Sequence, residues 1–284
     1  MASNGFNKIN DALKKAAEEK GKAFKREDQP AVIAPIPAAE KQNAYKEIPT
    51  PEATKTERSA VYSGISKKIV TYHSPTGSIA EQFRAVKTHI FSTDRAETLK
   101  IIAITSPANG EGKTIAAINL AIVTAQDSGK PVLLIDCNLR KPSVASLLGI
   151  SGDRGIGDIL CGNARLSEEI TATDIKNLSV LTVGQINCNA TELLNSQKIK
   201  DLLSEARRMY GYVIIDMPAV IPYSDPRILG PLVDGVVIVI RAGRTRREVI
   251  ARAESILKSV GVNVLGYVLT GVEYHIPEYI HRHL

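Results

Sequence analysis

The stretch Ser106-Pro107-Ala108-Asn109-Gly110-Glu111-Gly112-Lys113-Thr114 is the part of the chain best equipped for chemistry. Gly110 and Gly112 free the backbone to turn N–H groups inward around the oxygens of a phosphate. Lys113 is long enough to reach terminal phosphates, and the Thr114 hydroxyl is a hard oxygen ligand suited to Mg²⁺. Pro107 stands where the strict pattern has its first glycine. Two carboxylates complete the set. Asp136 and Asp216 each close an apolar run, Val132-Leu133-Leu134-Ile135 and Val213-Ile214-Ile215. Nucleotide chemistry needs a phosphate cradle, a metal site and a group that orients the nucleophile. Thr114 and Asp216 suit the metal, and Asp136 suits a base or a hold on metal-bound water. A lone strand-end Asp is more often a turn cap, but two of them in a chain with a phosphate loop point to metal and phosphate work.

These residues need a frame that brings them together, and the patterning supplies one. Leu99 to Ile104 reads as a strand entering the glycine loop. The helix behind it carries Ile115, Ile118, Leu120 and Val123 and stops at Gly129, which suits a left-handed C-cap. Apolar runs at Val132–Ile135, Leu178–Val183, Tyr212–Ile215, Val236–Ile240 and Val264–Leu269 read as strands, most of them buried on both faces. Helices lie between them. One carries Ile199, Leu202, Leu203 and Ala206. Another opens on a capping box of Thr245 with Glu248. A short helix capped by Ser143 runs through Leu148. This alternation predicts an α/β fold, a mostly parallel sheet with helices on both faces, of the P-loop NTPase type. Ligands in such sheets bind beyond the carboxyl ends of the strands, where the glycine loop, Asp136 and Asp216 all fall.

The chain has 284 residues, 44% of them apolar, enough for one large domain with an appendage. Its net charge of +6 is spread along the sequence, which allows acidic surfaces, anionic lipid or nucleic acid as partners and demands none, and no nucleic-acid partner is expected. Cys137, Cys161 and Cys188 lack metal-type spacing and are odd in number, as free thiols in a reducing compartment are. None of the five histidines neighbours a cysteine in a zinc-like pattern. No apolar run is long enough to span a bilayer and no signal peptide is read, so a cytoplasmic location is expected, with a membrane reached only through a partner.

Residues 1–27 read as a short amphipathic helix with Phe6, Ile9, Leu13 and Ala16 on one stripe, suited to docking on a partner. Residues 28–74, with Pro30, Pro35, Pro37, Pro49 and Pro51, read as a linker. Residues 75–284 form the globular domain. Its first helix, Ser78 to about Phe91, has Ile79, Phe83, Val86 and Ile90 as its buried stripe and Glu81, Arg84 and Lys87 as a charged face.

Over roughly residues 75 to 272 the chain resembles the cytoplasmic kinase module of the bacterial tyrosine kinases of capsule and exopolysaccharide synthesis. The residues that carry the likeness are Thr105-Ser106 through Gly110-Glu111-Gly112-Lys113-Thr114, Leu134-Ile135-Asp136-Cys137-Asn138-Leu139-Arg140-Lys141-Pro142 and Ile214-Ile215-Asp216-Met217-Pro218. Ser224-Asp225, Asp234-Gly235 through Arg241, and Gly266-Tyr267-Val268-Leu269 add to it. The related ParA/MinD ATPases carry a signature Lys where this chain has Ala108.

The resemblance implies ATP and Mg²⁺ as ligands. It gives Asn109, Gly110, Glu111, Gly112, Lys113, Thr114 and Arg140 as the ATP-binding set, Lys113, Asp136 and Asp216 as catalytic residues, and Thr114, Asp136 and Asp216 as metal ligands. It implies a homo-oligomer held through Glu81, Arg84 and Lys87, the last in place of the family's Arg. It also implies activation by a membrane adaptor of the polysaccharide chain-length-regulator type. Asp136-Cys137-Asn138 departs from the family's Asp-x-Asp, and Thr270 replaces an Asn near the base. The terminal stretch holds only two candidate phosphoacceptors, Tyr274 and Tyr279, among Ile276, Ile280 and Leu284 at helical spacing. Two functions follow: a protein-tyrosine autokinase, or a nucleotide-switched ATPase scaffold that does not phosphorylate tyrosine. A ParA/MinD-like positioning ATPase ranks third.

Overall fold

The computed structural model describes residues 64–91, 99–162, 164–186 and 190–272, all within the compact unit Pro51–Leu284. The expected N-terminal helix, most of the linker, Cys188, Tyr274 and Tyr279 lie outside the described residues.

In chain order the elements are α1 (Val70–His73), α2 (Ser78–Phe91), β1 (Ile101–Thr105), α3 (Lys113–Ser128), β2 (Val132–Asp136), α4 (Val144–Leu148), α5 (Ile156–Cys161) and α6 (Leu166–Glu169). Then follow β3 (Thr171–Ala172), β4 (Leu178–Leu181), α7 (Ala190–Leu194), α8 (Gln197–Met209), β5 (Tyr212–Asp216) and α9 (Asp225–Leu229). The last are β6 (Gly235–Arg241), α10 (Arg247–Lys258) and β7 (Val264–Thr270). The sheet order is β3-β4-β2-β5-β1-β6-β7. Every pair is parallel except the short antiparallel β3.

β1 and β2 are buried along their whole length, as their unbroken apolar runs require. Alternate residues feed two cores. Ile102, Ile104, Leu134 and Ile214 pack toward Ala117, Ile118 and Ala121 of α3. Ala103, Ile135, Ile215 and Ile238 face the opposite layer, with Leu202 and Ala206 of α8 and Ala253 and Leu257 of α10. β1 lies inside the sheet between β5 and β6, and its carboxyl end leads the chain into the glycine loop.

The structure corrects the sequence expectations at three places. The end of the expected linker is part of the domain. Ile69 is fully buried, the Ser66 N–H donates to the Leu147 carbonyl, and Thr71 donates from both its N–H and its hydroxyl to Asn119 Oδ1. Asn119 is buried in α3 and needs polar partners. The four-residue α1 that supplies them is too short for any periodicity to show. On α2, Ile79 is 48% exposed and Ala80 takes the inward position. α10 is capped at Arg246 and starts at Arg247, one residue later than a Thr245 cap implies.

On α2, Arg84 pairs with both Glu81 (2.6 Å) and Asp127 of α3 (3.4 Å), and Lys87 pairs with Asp127 (2.9 Å). Glu81 is the most exposed member, at 62%. No helix of the described residues is long and apolar enough to cross a membrane.

Candidate active site

β1, β2 and β5 end side by side. Ile104 of β1 and Asp136 of β2 both sit in register with Asp216 of β5. The loop after β1 enters α3 through Gly112, whose φ of +89° is left-handed and open to glycine at little steric cost. Gly110 adopts the same region at φ +80°. Backbone N–H groups at the start of a 16-residue helix then supply an anion-binding end.

Lys113 and Thr114 open α3. The Thr114 hydroxyl donates to Asp216 Oδ2 at 2.7 Å, and Lys113 Nζ lies 3.4 Å from Thr114 Oγ1. Asp216 is fully buried, and its Oδ1 has no hydrogen-bond partner. Burial pushes its carboxyl up to about 7, against the pull of the Lys113 ammonium. Such an orphaned buried oxygen costs free energy unless a ligand satisfies it. Thr114, Asp216 and nearby Lys113 therefore fit a nucleotide's phosphates and their Mg²⁺. Among the described residues no three His, Cys, Asp or Glu side chains cluster as a metal cage. Mg²⁺ does not need one, because it is held by one or two protein oxygens with phosphates and waters.

Asp136 is also buried. Its Oδ1 accepts the Asn138 N–H at 3.0 Å, and its Oδ2 accepts the Ser143 and Val144 N–H groups at 3.1 Å each. Desolvation raises its carboxyl above the ordinary range, opposed by those bonds and by Lys113. So Asp136 both faces the Lys113 charge and caps the start of α4, and the Ser143 side chain makes no cap there. Asn138 is equally specific: its amide donates to the Lys141 carbonyl at 2.9 Å. An ionised Asp in that place has no proton to give. Cys137 directly follows Asp136, donates its N–H to the Asp216 carbonyl at 2.9 Å and is fully buried. Burial chiefly, and then Asp136 and Asp216, push its thiol far up, so it carries no thiolate.

Two residues of the expected ATP-binding set also make structural contacts. The Glu111 side chain is buried, and its Oε1 accepts the Thr245 hydroxyl at 2.7 Å, while its backbone carbonyl accepts the Thr270 hydroxyl at 2.7 Å. Thr245 is thus drawn to the phosphate loop and does not cap α10, whose N-cap is Arg246. Thr270 braces the loop from the end of β7. What Glu111 can offer a phosphate is its backbone N–H. Arg140 is engaged elsewhere too. Its guanidinium clamps Asp225 with two bonds of 3.0 Å, donates to Thr191 at 2.8 Å and lies 5.0 Å from the centre of the Tyr223 ring. Asp225 is fully buried, and a buried carboxylate needs such a partner. These contacts join residues 51 to 159 positions apart, so no local pattern announces them.

Arg140→Ala strands the Asp225 charge in the interior. The expected loss is about 3 kcal/mol of folding stability, the cost of removing one partner of a buried pair. Arg140→Lys keeps the charge but loses the fork and the ring contact, so it falls between. Urea unfolding of the two variants beside wild type checks the order.

Comparison with known proteins follows the same lines. The AAA domain family AAA_31 matches residues 99–245, from the strand before the phosphate loop to Thr245. The tyrosine-protein kinase YwqD of Bacillus subtilis (strain 168) is 36% identical over 209 residues, covering 74% of this chain and 88% of the relative. The tyrosine-protein kinase CpsD of Streptococcus agalactiae is 32% identical over 200 residues, covering 70% and 86%. The solved kinase domain of the Escherichia coli tyrosine kinase ETK superposes with a TM-score of 0.69 at 30% identity, covering 73% of this chain and 81% of that one.

Proposed function

We infer the function from one premise: the chain belongs to the bacterial tyrosine-protein kinases, a branch of the P-loop ATPases. It is an ATP-dependent protein-tyrosine kinase. The observation that supports this most is the convergence of Lys113, the Thr114–Asp216 bond of 2.7 Å and Asp136 at adjacent strand ends.

In the proposed reaction the phosphate loop's N–H groups and Lys113 hold the terminal phosphates of ATP. Bound Mg²⁺ supplies neutralisation of phosphate charge, and Thr114, Asp216 and Asp136 would hold it directly or through water. The tyrosine phenolic oxygen forms a bond to the γ-phosphorus, and the bond from that phosphorus to the β,γ-bridging oxygen breaks. ADP leaves with the electron pair. The phenolic proton passes to a carboxylate of the site, Asp136 in this reading, which stands at the end of β2 in register with Asp216.

The kinase is proposed to act in capsule or exopolysaccharide synthesis, at the cytoplasmic face of the membrane. A membrane adaptor of the chain-length-regulator type would hold it there, and Tyr274 and Tyr279 would be acceptors. Glu81, Arg84 and Lys87 are proposed to join copies into an oligomer. Arg84 and Lys87 already neutralise Asp127 within the chain, which leaves the exposed Glu81 carboxylate as the group best placed to reach another copy. Glu81→Arg tests this. Within the chain it removes only an i,i+3 pair, worth a few tenths of a kcal/mol. The expected result is dissociation in light-scattering mass measurements, with phosphotyrosine formation becoming steeply dependent on protein concentration. An unchanged mass and unchanged activity would exclude Glu81 from the interface.

A further inference from the structure

Beside the phosphate loop lies a second concavity, of about 520 Å³. Ala108 and Asn109 of the loop line it, with Ile221 and Pro222 after β5 and Val249 and Arg252 of α10. Glu248 lines it as well. The two sides offer different chemistry. Ile221, Pro222 and Val249 are apolar surface against which an aromatic ring can pack, and Arg252 is an exposed cation. Neither Arg252 nor Glu248 is held in an ion pair among the described residues. From Arg241 to Arg252 the chain carries five arginines against one carboxylate, Glu248. Of these arginines Arg252 is the one that lines the cleft, where it stands with Glu248, so attraction of an acidic residue there rests on Arg252.

The chain itself shows what such a segment looks like. Tyr274 and Tyr279 each directly follow a glutamate, as Glu273-Tyr274 and Glu278-Tyr279. Successive side chains of an extended peptide point to opposite sides. A tyrosine packed on the apolar side thus turns the residue before it toward the other. We propose that this cleft is the acceptor subsite and that Arg252 selects tyrosines preceded by an acidic residue. The proposal rests on the kinase reading above and adds to it a substrate class. Asn109 links the two sites, because it lines the cleft and directly precedes Gly110 of the phosphate cradle. Arg252 is a specificity residue here, remote from the reacting atoms.

The test uses the full-length protein, wild type and Arg252→Glu, at saturating ATP and Mg²⁺. The probes are two synthetic peptides of residues 270–284, one natural and one carrying Glu273→Lys and Glu278→Lys. Phosphotyrosine formation gives kcat/KM for each pair. Wild type is expected to prefer the natural peptide by about tenfold, since like charges set against each other at an interface are strongly disfavoured. Arg252→Glu is expected to invert that preference, and Arg252→Lys to retain most of it. The same peptide ratio in wild type and Arg252→Glu would overturn the assignment of Arg252 while leaving the kinase intact. No phosphotyrosine on either peptide or on the protein itself, with wild type, would overturn the kinase reading and this proposal together.

Discussion

Lys113→Ala lowers phosphate transfer by roughly 10³-fold or more, the scale of removing a preorganised charge from a transition state in a water-poor site. Lys113 has two tasks in this structure. Toward the ligand, it stands at the helix entry with its ammonium 3.4 Å from the Thr114 hydroxyl, where a nucleotide's terminal phosphates would lie. Toward the protein, it is the positive charge that offsets both Asp136 and Asp216. Removing it leaves two buried carboxylates to face each other with no counter-charge. Their affinity for protons rises further, and the ligand-free variant is expected to melt below wild type at pH 8. The difference shrinks at pH 5, where the carboxyl groups take up protons. Single-turnover phosphate transfer and melting curves at both pH values check the two effects separately. A variant that loses activity and also melts equally far below wild type at both pH values would have lost packing rather than charge balance.

Asp216→Asn separates function from stability. Asp216 is fully buried, with one oxygen on the Thr114 hydroxyl and the other without a partner. Burial first, and then repulsion by Asp136, push its carboxyl up to about 7, with Lys113 pulling the other way. In the unfolded chain an Asp titrates near ~3.9. The folded state therefore binds the proton more tightly. Its stabilisation by the neutral form is complete below the unfolded value and is lost as pH rises through about 7. Asn is neutral throughout and can still accept the Thr114 bond. The ligand-free variant should melt a few degrees higher than wild type at pH 8, with the gain fading toward pH 5. Phosphate transfer should fall by roughly 10² to 10³, because the amide cannot carry the negative charge that Mg²⁺ and phosphate positioning need. Buried charge that destabilises the empty protein is a cost of the site, and Asp216 concentrates it in one residue.

Much of the architecture is legible in the residues, for a definite reason. The strands around the site are buried on both faces, so their apolar runs are unbroken, and β2 and β5 each end in a buried carboxylate at the site. The glycine loop reads clearly because Gly110 and Gly112 must take left-handed backbone. What could not be read has a common cause, namely polar bonds between residues far apart in sequence. Thr245 followed by Glu248 looks like a capping box, yet its hydroxyl is taken by Glu111, 134 positions away. Arg140 reads as a nucleotide ligand, and no local pattern announces the clamp it makes on the buried Asp225. Asp136 shows how a bland and a functional reading can hold at once, since it caps a helix and faces the site's lysine with the same two oxygens. The segment 64–74 escaped because it is anchored by a single fully buried apolar residue, Ile69, and by bonds to the buried Asn119 amide, rather than by an apolar stripe.

The central claim is that this cluster transfers phosphate to tyrosine. Intact-mass and peptide mass spectrometry after incubation with ATP and Mg²⁺, wild type beside Lys113→Ala, tests it most directly. Phosphate on Tyr274 or Tyr279 in wild type, and on neither in the variant, is the predicted result. ADP formed by wild type with no phosphate on any tyrosine would contradict it, and would leave a nucleotide-driven scaffold in the kinase's place.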